Sequence, residues 1–478
     1  MPVNPGPNLP SDVTEHTLEK GLLESPVVWQ LLLLAAAVSV YVLFRPRGRR
    51  TPVVARPSVA SRLVVIGALA GLAGVFWLND YVGYVRTPHD LSILMQRGTG
   101  WTVGAGRGLA DITAPDDEYI AHARNQLDSA KNTGGTADDK SHILQVSLPD
   151  PARGVPTGLA NVMIPPGYGS PANAGRRYPV VYLVHGFPAG SSDDWFTAGD
   201  ALSTMQDLLG DRLVQQMIVV APDMTAEQPT TDWECLNVPG GPQLEDYLVN
   251  TVVPGIDRQF RTVADRGHRS LGGMSGGAYC ALNIGLKHLA SFGSLLITLP
   301  YDSLGDSAGI LAGHPELIAP NTPQKYIPTM KFTYPVSVII ATGKSAPSDV
   351  TTTYRVANAL AARGQYVAVH LEPGLTHTWR AARAALPYLL AFANQVFGAP
   401  PGEKVHAAVS GQPVPGKPGA IALPGGKVPP GPLMPGHHPP LGNHPPAGNQ
   451  PGAKPPLPAD HQSGGGHFGR RHLLHPLG

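Results

Sequence analysis

Gly273-Met274-Ser275-Gly276-Gly277 is the stretch of sequence on which the fold prediction depends. It has the G-x-S-x-G form of a sharp turn that leads from a strand into a helix and exposes a serine. Two further motifs follow it in order. Pro347-Ser348-Asp349 comes after a predicted strand, and Thr376-His377-Thr378-Trp379 comes before a final helix. A serine, an acid and a histidine in one region are the nucleophile, acid and base of a catalytic triad.

Strand and helix patterns alternate around these motifs from about residue 141 to residue 398. The strands are predicted at 142–148, 159–164, 178–184, 216–221, 292–299, 336–342 and 366–371, and the helices at 198–209, 243–260, 277–289, 352–362 and 380–396. Several strand patterns are continuous apolar runs, which is typical of strands buried on both faces. The alternation predicts a mostly parallel sheet with helices on both faces. Together with the order Ser…Asp…His, it predicts the α/β-hydrolase fold.

The nucleophile has two candidates, because Gly305-Asp306-Ser307-Ala308-Gly309 also fits G-x-S-x-G. A nucleophile of this type must lie where a strand passes straight into a helix. Residues 300–304 separate Ser307 from its strand, whereas Ser275 opens directly onto a predicted helix. We therefore predict Ser275 as the nucleophile and keep Ser307 as the alternative.

The base and the acid follow by elimination. Between Asp349 and the C-terminal tail the sequence has only His370 and His377. His370 lies within an apolar strand pattern, which favours a structural role, so we predict His377 as the base. Asp349 follows a buried strand and precedes a helix, so we predict it as the acid. A cap of the helix near Thr352 is the alternative role for Asp349.

Two backbone amides are predicted to form the oxyanion hole. Gly276 follows the nucleophile directly and supplies one N–H group. The loop after the first long buried strand supplies the other, which points to Phe187. The only two cysteines are Cys235, in a loop, and Cys280, on the helix after Ser275. We predict a disulfide that holds this loop beside the site, with two buried thiols as the alternative.

The motifs carry a family resemblance over residues 142–398. The matching motifs are Tyr182-Leu183-Val184-His185-Gly186, Asp194-Trp195, the stretch around Ser275, Gly343-Lys344-Ser345-Ala346-Pro347-Ser348-Asp349 and Thr376-His377-Thr378-Trp379. They resemble the esterase D family, which is related to the antigen 85 mycolyltransferases of the bacterial envelope. The resemblance implies an α/β-hydrolase fold, ester or lipid small-molecule substrates, chemistry on carboxylic esters, and neither a cofactor nor a metal.

The expected activity is that of a serine carboxylesterase with an acyl–Ser275 intermediate. An acyltransferase that passes the acyl group to a sugar or lipid alcohol is the alternative. Mycolyltransferases carry Asp where His185 stands and Met where Gly276 stands, which favours hydrolysis over transfer. A non-catalytic α/β-hydrolase that serves as a binding module is the third reading. The net charge of +1 gives no indication of a nucleic-acid partner.

Two apolar runs near the N-terminus predict a membrane anchor. Residues 27–44 and 63–80 are each close to the ~20 residues of a spanning helix. The loop at 45–62 carries six arginines and no acid, which predicts a cytoplasmic loop with both flanking segments outside. Two buried helices of a soluble protein are the alternative. The prediction is thus a multi-pass cell-membrane protein whose catalytic domain is extracytoplasmic.

The remaining segments complete the predicted organisation. Residues 1–26 form a short external N-terminus, and residues 81–140 form a polar connector with a possible helix near 119–130. Residues 141–398 form the hydrolase domain. Residues 399–478 are rich in Pro, Gly and His and predict a disordered tail. Weak metal binding by His437-His438 is an alternative for the tail.

Overall fold

The computed structural model describes residues 3–44, 58–99 and 140–398. Most of the predicted arginine-rich loop, the helix predicted near 119–130 and the tail at 399–478 lie outside the described residues. The two apolar segments and the whole of the predicted hydrolase region are described.

A nine-stranded sheet forms the centre of the hydrolase domain, in the order β1-β9-β8-β7-β6-β4-β5-β3-β2. The strands are β1 Asn4–Pro5, β2 His142–Ser147, β3 Leu159–Ile164, β4 Val180–Val184, β5 Ile218–Pro222, β6 Arg269–Met274, β7 Ser294–Thr298, β8 Ser337–Gly343 and β9 Tyr366–Glu372. The neighbouring strands β1, β9, β8, β7, β6, β4 and β5 pair in parallel. At the far edge β3 pairs antiparallel with β5, and β2 pairs antiparallel with β3. Every residue of β4 to β8 is buried, as the apolar patterns predict for β4, β5, β7 and β8. Strand β6 was not among the predicted strand ranges, because its sequence is not a continuous apolar run. The predicted α/β fold with a mostly parallel sheet is confirmed.

Helices cover both faces of this sheet. The bounds of the α-helices in the described residues are α1 Ser11–Leu18, α2 Pro26–Phe44, α3 Val59–Val82, α4 Pro88–Thr99, α5 Ala201–Gly210, α6 Leu244–Tyr247, α7 Val253–Gln259, α8 Gly276–Lys287, α9 Pro323–Tyr326, α10 Pro347–Ala362 and α11 Trp379–Phe397. The helix predicted at 243–260 is interrupted between α6 and α7 by a π-helical turn, Leu248–Val252. Helix α10 begins at Pro347 rather than at residue 352, because proline is favoured in a first turn. Asp349 therefore lies in the first turn of α10 and is not its N-cap.

The N-terminal residues are part of the hydrolase domain. Strand β1 extends the sheet by pairing with β9, and the amide of Gly6 donates to the Val369 carbonyl at 3.0 Å. Val13 of α1 is 2% exposed and packs in the same core cluster as α11. Residues that precede the predicted domain boundary at residue 141 thus pair and pack with the sheet. The short polar N-terminus gave no sign of a strand because β1 is only two residues long.

A buried ion pair fixes the N-terminal segment to α11. The Arg383 side chain and the Glu24 side chain are both 0% exposed, and the Arg383 Nη2 donates to Glu24 Oε1 at 2.8 Å. Arg383 also donates to the carbonyls of Thr17, Gly83 and Ala198 at 3.1, 3.3 and 2.9 Å. This arginine thus joins four chain segments that are distant in sequence. A charge so deeply buried is tolerated only when it is paired and hydrogen-bonded.

Helices α2 and α3 form an antiparallel pair that projects a mostly exposed apolar surface. Their apolar windows have mean hydropathies of 2.3 and 2.0, and only 6% of each window is buried. Both helices are long and apolar enough to cross a membrane. Their low burial distinguishes them from the core helices of the hydrolase domain, such as α8, in which nearly every side chain is buried.

Candidate active site

Ser275, His377 and Asp349 form one continuous hydrogen-bonded chain. The Nε2 atom of His377 lies 2.9 Å from Ser275 Oγ, and its Nδ1 atom lies 2.7 Å from Asp349 Oδ2. Ser275 and Asp349 are each 6% exposed, whereas the His377 side chain is 29% exposed. The three residues come from the ends of β6, β8 and β9, which share the carboxyl edge of the parallel sheet. The fold therefore brings together three side chains that lie up to 102 positions apart in sequence.

The backbone at Ser275 takes a conformation that L-residues rarely adopt. Its φ is 59° and its ψ is −120°, between the end of β6 and the start of α8. Such strain persists only where the surroundings hold it, and it is typical of functional sites. An ideal Cβ on Gly273 would lie 2.3 Å from the Gly277 carbonyl oxygen, and one on Gly277 would lie 2.3 Å from the His185 carbonyl oxygen. These glycines are therefore required for the turn to close.

The amides of Phe187 and Gly276 lie beside the nucleophile. Neither amide donates a hydrogen bond to another described residue. An ideal Cβ on Gly276 would lie 3.8 Å from the Phe187 nitrogen, so the two groups are neighbours. Gly276 also opens α8, where helical amides have no internal partner. Two free amides, one of them at the N-terminus of a helix, form a favourable place for negative charge.

Ser307 and His370, the alternative nucleophile and base, take no part in the hydrogen bonds that join Ser275, His377 and Asp349. Ser307 donates to Asp232 Oδ2 at 2.9 Å and has no histidine partner. His370 stacks on Tyr388 with ring centroids 3.6 Å apart, and its Nε2 lies 2.6 Å from Glu372 Oε1. Of the two serines and two histidines considered from the sequence, only Ser275 and His377 come together.

His185 serves the loop that carries Phe187. Its Nδ1 lies 2.9 Å from the Gly186 carbonyl, and its Nε2 accepts from the Met224 amide at 3.0 Å. The ring is almost fully buried. It therefore holds the loop in place and does not face the nucleophile.

A buried acid, Glu234, lies next to Gly276 in a small pocket. Its side chain is 8% exposed, and its Oε2 has no hydrogen-bond partner among the described residues. That oxygen is 3.8 Å from the position of an ideal Cβ on Gly276. Phe187 and Asp232 also line this pocket. Burial raises the pKa of Glu234 well above its usual range, and the neighbouring carboxylate of Asp232 raises it further.

Cys235 and Cys280 are joined by a disulfide, with their Cα atoms 5.4 Å apart. Cys235 directly follows Glu234, and both residues have positive φ values, 51° and 46°. Cys280 lies one turn into α8, the helix that opens at Gly276. The bridge therefore ties the loop that carries Glu234 to the helix that follows the nucleophile.

The segment at 300–334 packs over the site through Tyr301. The Tyr301 ring stacks on the His377 ring with centroids 5.5 Å apart, and its hydroxyl lies 3.4 Å from His377 Nε2. Burial raises the pKa of Tyr301. The next residue, Asp302, is 3% exposed and pairs with Arg355 at 2.5 Å, which anchors the segment.

Glu234 and Tyr301 are the site residues that the sequence analysis missed. The sequence order Ser…Asp…His places the acid between Ser275 and His377, whereas Glu234 precedes both. The sequence could have indicated Glu234, because it directly precedes Cys235, which was predicted to lie beside the site. Among the described residues, no group of three or more His, Cys, Asp or Glu is placed to hold a metal ion.

Comparison with known proteins places this site in context. Residues 159–339 match the family model described as "Putative esterase". The chain is 32% identical over 137 residues to an endo-1,4-beta-xylanase/feruloyl esterase of Xylanibacter ruminicola and to esterase Rv1288 of Mycobacterium tuberculosis. These alignments cover 28% of this chain, but only 18% and 27% of the two relatives. A ferulic acid esterase structure aligns with a TM-score of 0.46 at 21% identity, over 54% of this chain and 99% of that one.

The mostly parallel sheet and the hydrogen-bonded geometry of Ser275, His377 and Asp349 are those of an α/β-hydrolase fold. The match over residues 159–339 is more specific, and it includes β3 to β7 and the stretch around Ser275. This part of the chain is therefore similar to the esterase family model, and the relatives it matches are named as esterases.

Proposed function

We propose that the chain is a membrane-anchored serine carboxylesterase whose catalytic domain faces outward. The observation that carries the catalytic part is the hydrogen-bonded chain from Ser275 through His377 to Asp349. Such a chain can remove the proton from a serine hydroxyl and return it to a leaving group. The family match supports ester substrates.

The reaction has two halves. His377 Nε2 takes the proton from Ser275 Oγ as this oxygen bonds to the ester carbonyl carbon, and Asp349 stabilises the imidazolium that results. The carbonyl oxygen becomes an oxyanion, to which the amides of Phe187 and Gly276 donate. The carbon–oxygen bond to the alcohol then breaks, and His377 gives its proton to the departing alcohol. Water repeats the sequence on the acyl–Ser275 ester, which releases the acid and restores the serine.

The membrane part of the proposal rests on three observations. Helices α2 and α3 are long and apolar enough to span a bilayer and are mostly exposed. The sequence between them carries five arginines and no acid, with Arg62 in the first turn of α3, and basic residues in such a loop favour the cytoplasmic side. Both outer ends of the helix pair, at Glu24 and at Gly83, contact the hydrolase domain through Arg383. A hairpin with its basic loop inside therefore holds the hydrolase domain outside.

A membrane-impermeant fluorophosphonate tests the nucleophile and the orientation together. In intact cells we expect it to label the full chain at Ser275, because an outward-facing activated serine reacts without membrane passage. A cysteine placed in the 45–62 loop should resist an impermeant maleimide until the cells are opened. Fluorophosphonate labelling that requires broken cells, or ready maleimide labelling of the loop in intact cells, would show the opposite orientation.

Glu234 contributes to this site as a neutral acid. Its raised pKa keeps the carboxyl protonated at pH values where an exposed glutamate is ionised. Ionisation would add a negative charge beside the amides that receive the oxyanion. Ionisation of Glu234 should therefore lower the activity on the alkaline side as the pH rises through its raised pKa.

The pH dependence of kcat tests this role. The full chain should lose activity on the alkaline side, and Glu234→Gln, which is neutral at every pH, should keep its activity there. Glu316→Gln is the matched control, because Glu316 is exposed on the 300–334 segment. If Glu234→Gln lost activity at high pH just as the unchanged protein does, the alkaline loss would belong to another titrating group.

A further inference from the structure

The outer end of α3 touches the loop that carries the proposed base. Tyr81, in the last turn of α3, shares a hydrogen bond of 2.8 Å between its hydroxyl and Thr376 Oγ1. Thr376 directly precedes His377. An ideal Cβ on Gly83 would lie 2.2 Å from the Arg380 side chain, so the chain leaving α3 packs tightly on the first turn of α11. The helix pair therefore joins the hydrolase domain beside the triad.

The other end of the helix pair arrives at the same place. Glu24, two residues before α2, pairs with Arg383, which lies one turn into α11. Helix α11 itself begins two residues after His377. In a parallel sheet the catalytic residues lie at the carboxyl edge. The carboxyl edge of this sheet is thus the edge from which α2 and α3 project.

Aromatic side chains mark the height of the membrane surface on this hairpin. Trp29 and Trp77 lie on α2 and α3 near the end that joins the hydrolase domain, and the Trp29 Nε1 donates to Asp80 at 3.3 Å. Tryptophan and tyrosine are enriched where a spanning helix meets the lipid headgroups. Trp77 and Tyr81 are 60% and 56% exposed and are separated by one helical turn, or about 6 Å. Tyr81 therefore lies at headgroup level while it contacts the loop of the base.

Two exposed aromatic side chains surround the nucleophile on the same edge. Phe187 is 40% exposed beside the oxyanion amides, and Tyr301 is 42% exposed on the His377 ring. Large exposed apolar groups are typical of surfaces that receive a partner or a lipid. Tyr301 stacks on His377, and Tyr81 of the hairpin contacts the preceding residue, Thr376, so aromatic rings lie on both sides of the loop of the base.

We propose that the substrate is an ester of a lipid that resides in the same membrane as α2 and α3 and is bound from the headgroup region. This rests on the proposed membrane-anchored esterase. The acyl chain remains in or near the bilayer while its carbonyl reaches Ser275. The competing substrate class is an ester carried by a soluble polysaccharide. The contact between the hairpin and the loop of the base would not help to bind such a substrate.

The test compares two routes of delivery to the full chain in phosphatidylcholine vesicles. 4-Methylumbelliferyl palmitate is placed either in the vesicles that contain the protein or in separate vesicles, and the release of umbelliferone is followed. Confinement to the same surface raises the effective concentration, so we expect hydrolysis to be at least about tenfold faster in the shared vesicles. Equal rates from both arrangements, or faster hydrolysis of acetylated xylan than of the shared-vesicle palmitate, would overturn the proposal.

The acetate ester of the same fluorophore separates this outcome from a failure of the proposed function. It is soluble and should be hydrolysed whichever vesicles are present. Loss of acetate hydrolysis would refute the esterase itself, whereas retained acetate hydrolysis with equal palmitate rates would refute only the lipid substrate.

Two matched variants locate the effect on the molecule. Tyr81→Ala removes the ring beside Thr376, and Tyr41→Ala removes an exposed ring from the opposite end of the hairpin. We expect Tyr81→Ala to lower the ratio of palmitate to acetate hydrolysis severalfold and Tyr41→Ala to leave that ratio unchanged. The same ratio in both variants would overturn the assigned route.

Discussion

Replacing Ser275 by alanine should lower kcat for ester hydrolysis by about 10⁶-fold, because no other group takes the place of the attacking oxygen. His377→Ala should cost about as much, since the serine hydroxyl is then not deprotonated. The double variant should lose little more than either single variant, because members of a triad act as a unit. The measurement is kcat for 4-methylumbelliferyl acetate with the full chain, with circular dichroism to show that each variant is folded.

Two controls make this result specific. Ser307→Ala should retain full activity, because Ser307 is hydrogen-bonded to Asp232 and lies away from His377. His370→Ala should lower the thermal stability more than kcat, since the ring is stacked on Tyr388. If Ser307→Ala were the inactive folded variant, the assigned nucleophile would be incorrect.

Glu24→Ala should destabilise the hydrolase domain by about 3–5 kcal/mol, which is the usual cost of leaving a buried charge without its partner. Arg383 remains fully buried in this variant and loses the carboxylate at 2.8 Å. For a domain of this size we expect the midpoint of thermal unfolding to fall by about 10 °C. Differential scanning fluorimetry of the detergent-solubilised full chain measures this shift.

Glu19→Ala is the matched control for this effect, because Glu19 is exposed five residues earlier in the same segment. It should leave the midpoint nearly unchanged. An equal shift in both variants, or none in Glu24→Ala, would mean that the N-terminal segment does not support the domain. A chain that begins at residue 80 lacks β1, α1 and Glu24, so we expect it to fold poorly.

The sequence was sufficient for most of the central sheet because β4, β5, β7 and β8 lie in largely apolar runs, and such runs have few other ways to be buried. Strand β6 contains Arg269, Ser270 and two glycines, and it was inferred only from its place before Ser275. Ser275, Asp349 and His377 could also be predicted, because each follows a strand at the carboxyl edge of the sheet. These three side chains do meet in the structure.

Features that depend on packing between distant segments could not be obtained in the same way. Strand β1 has two residues, and its pairing with β9 follows from the shape of the sheet edge rather than from a local pattern. Glu24 and Arg383 are separated by 359 positions, and either residue alone is typical of an exposed surface. The position of Glu234 depends on a loop whose course is set by positive φ values and a disulfide.

The pairing of β1 with β9 also has a consequence for how the chain is made. Asn4 pairs with Ala368, so 363 residues must be synthesised between the first partner and the second. At about 5–20 residues per second, the N-terminal segment leaves the ribosome roughly 20–70 s before its partner strand exists. During that interval Glu24 and α1 have no docking surface, although the two apolar helices next to them have already been made. This edge of the sheet therefore forms only after most of the hydrolase domain has been synthesised.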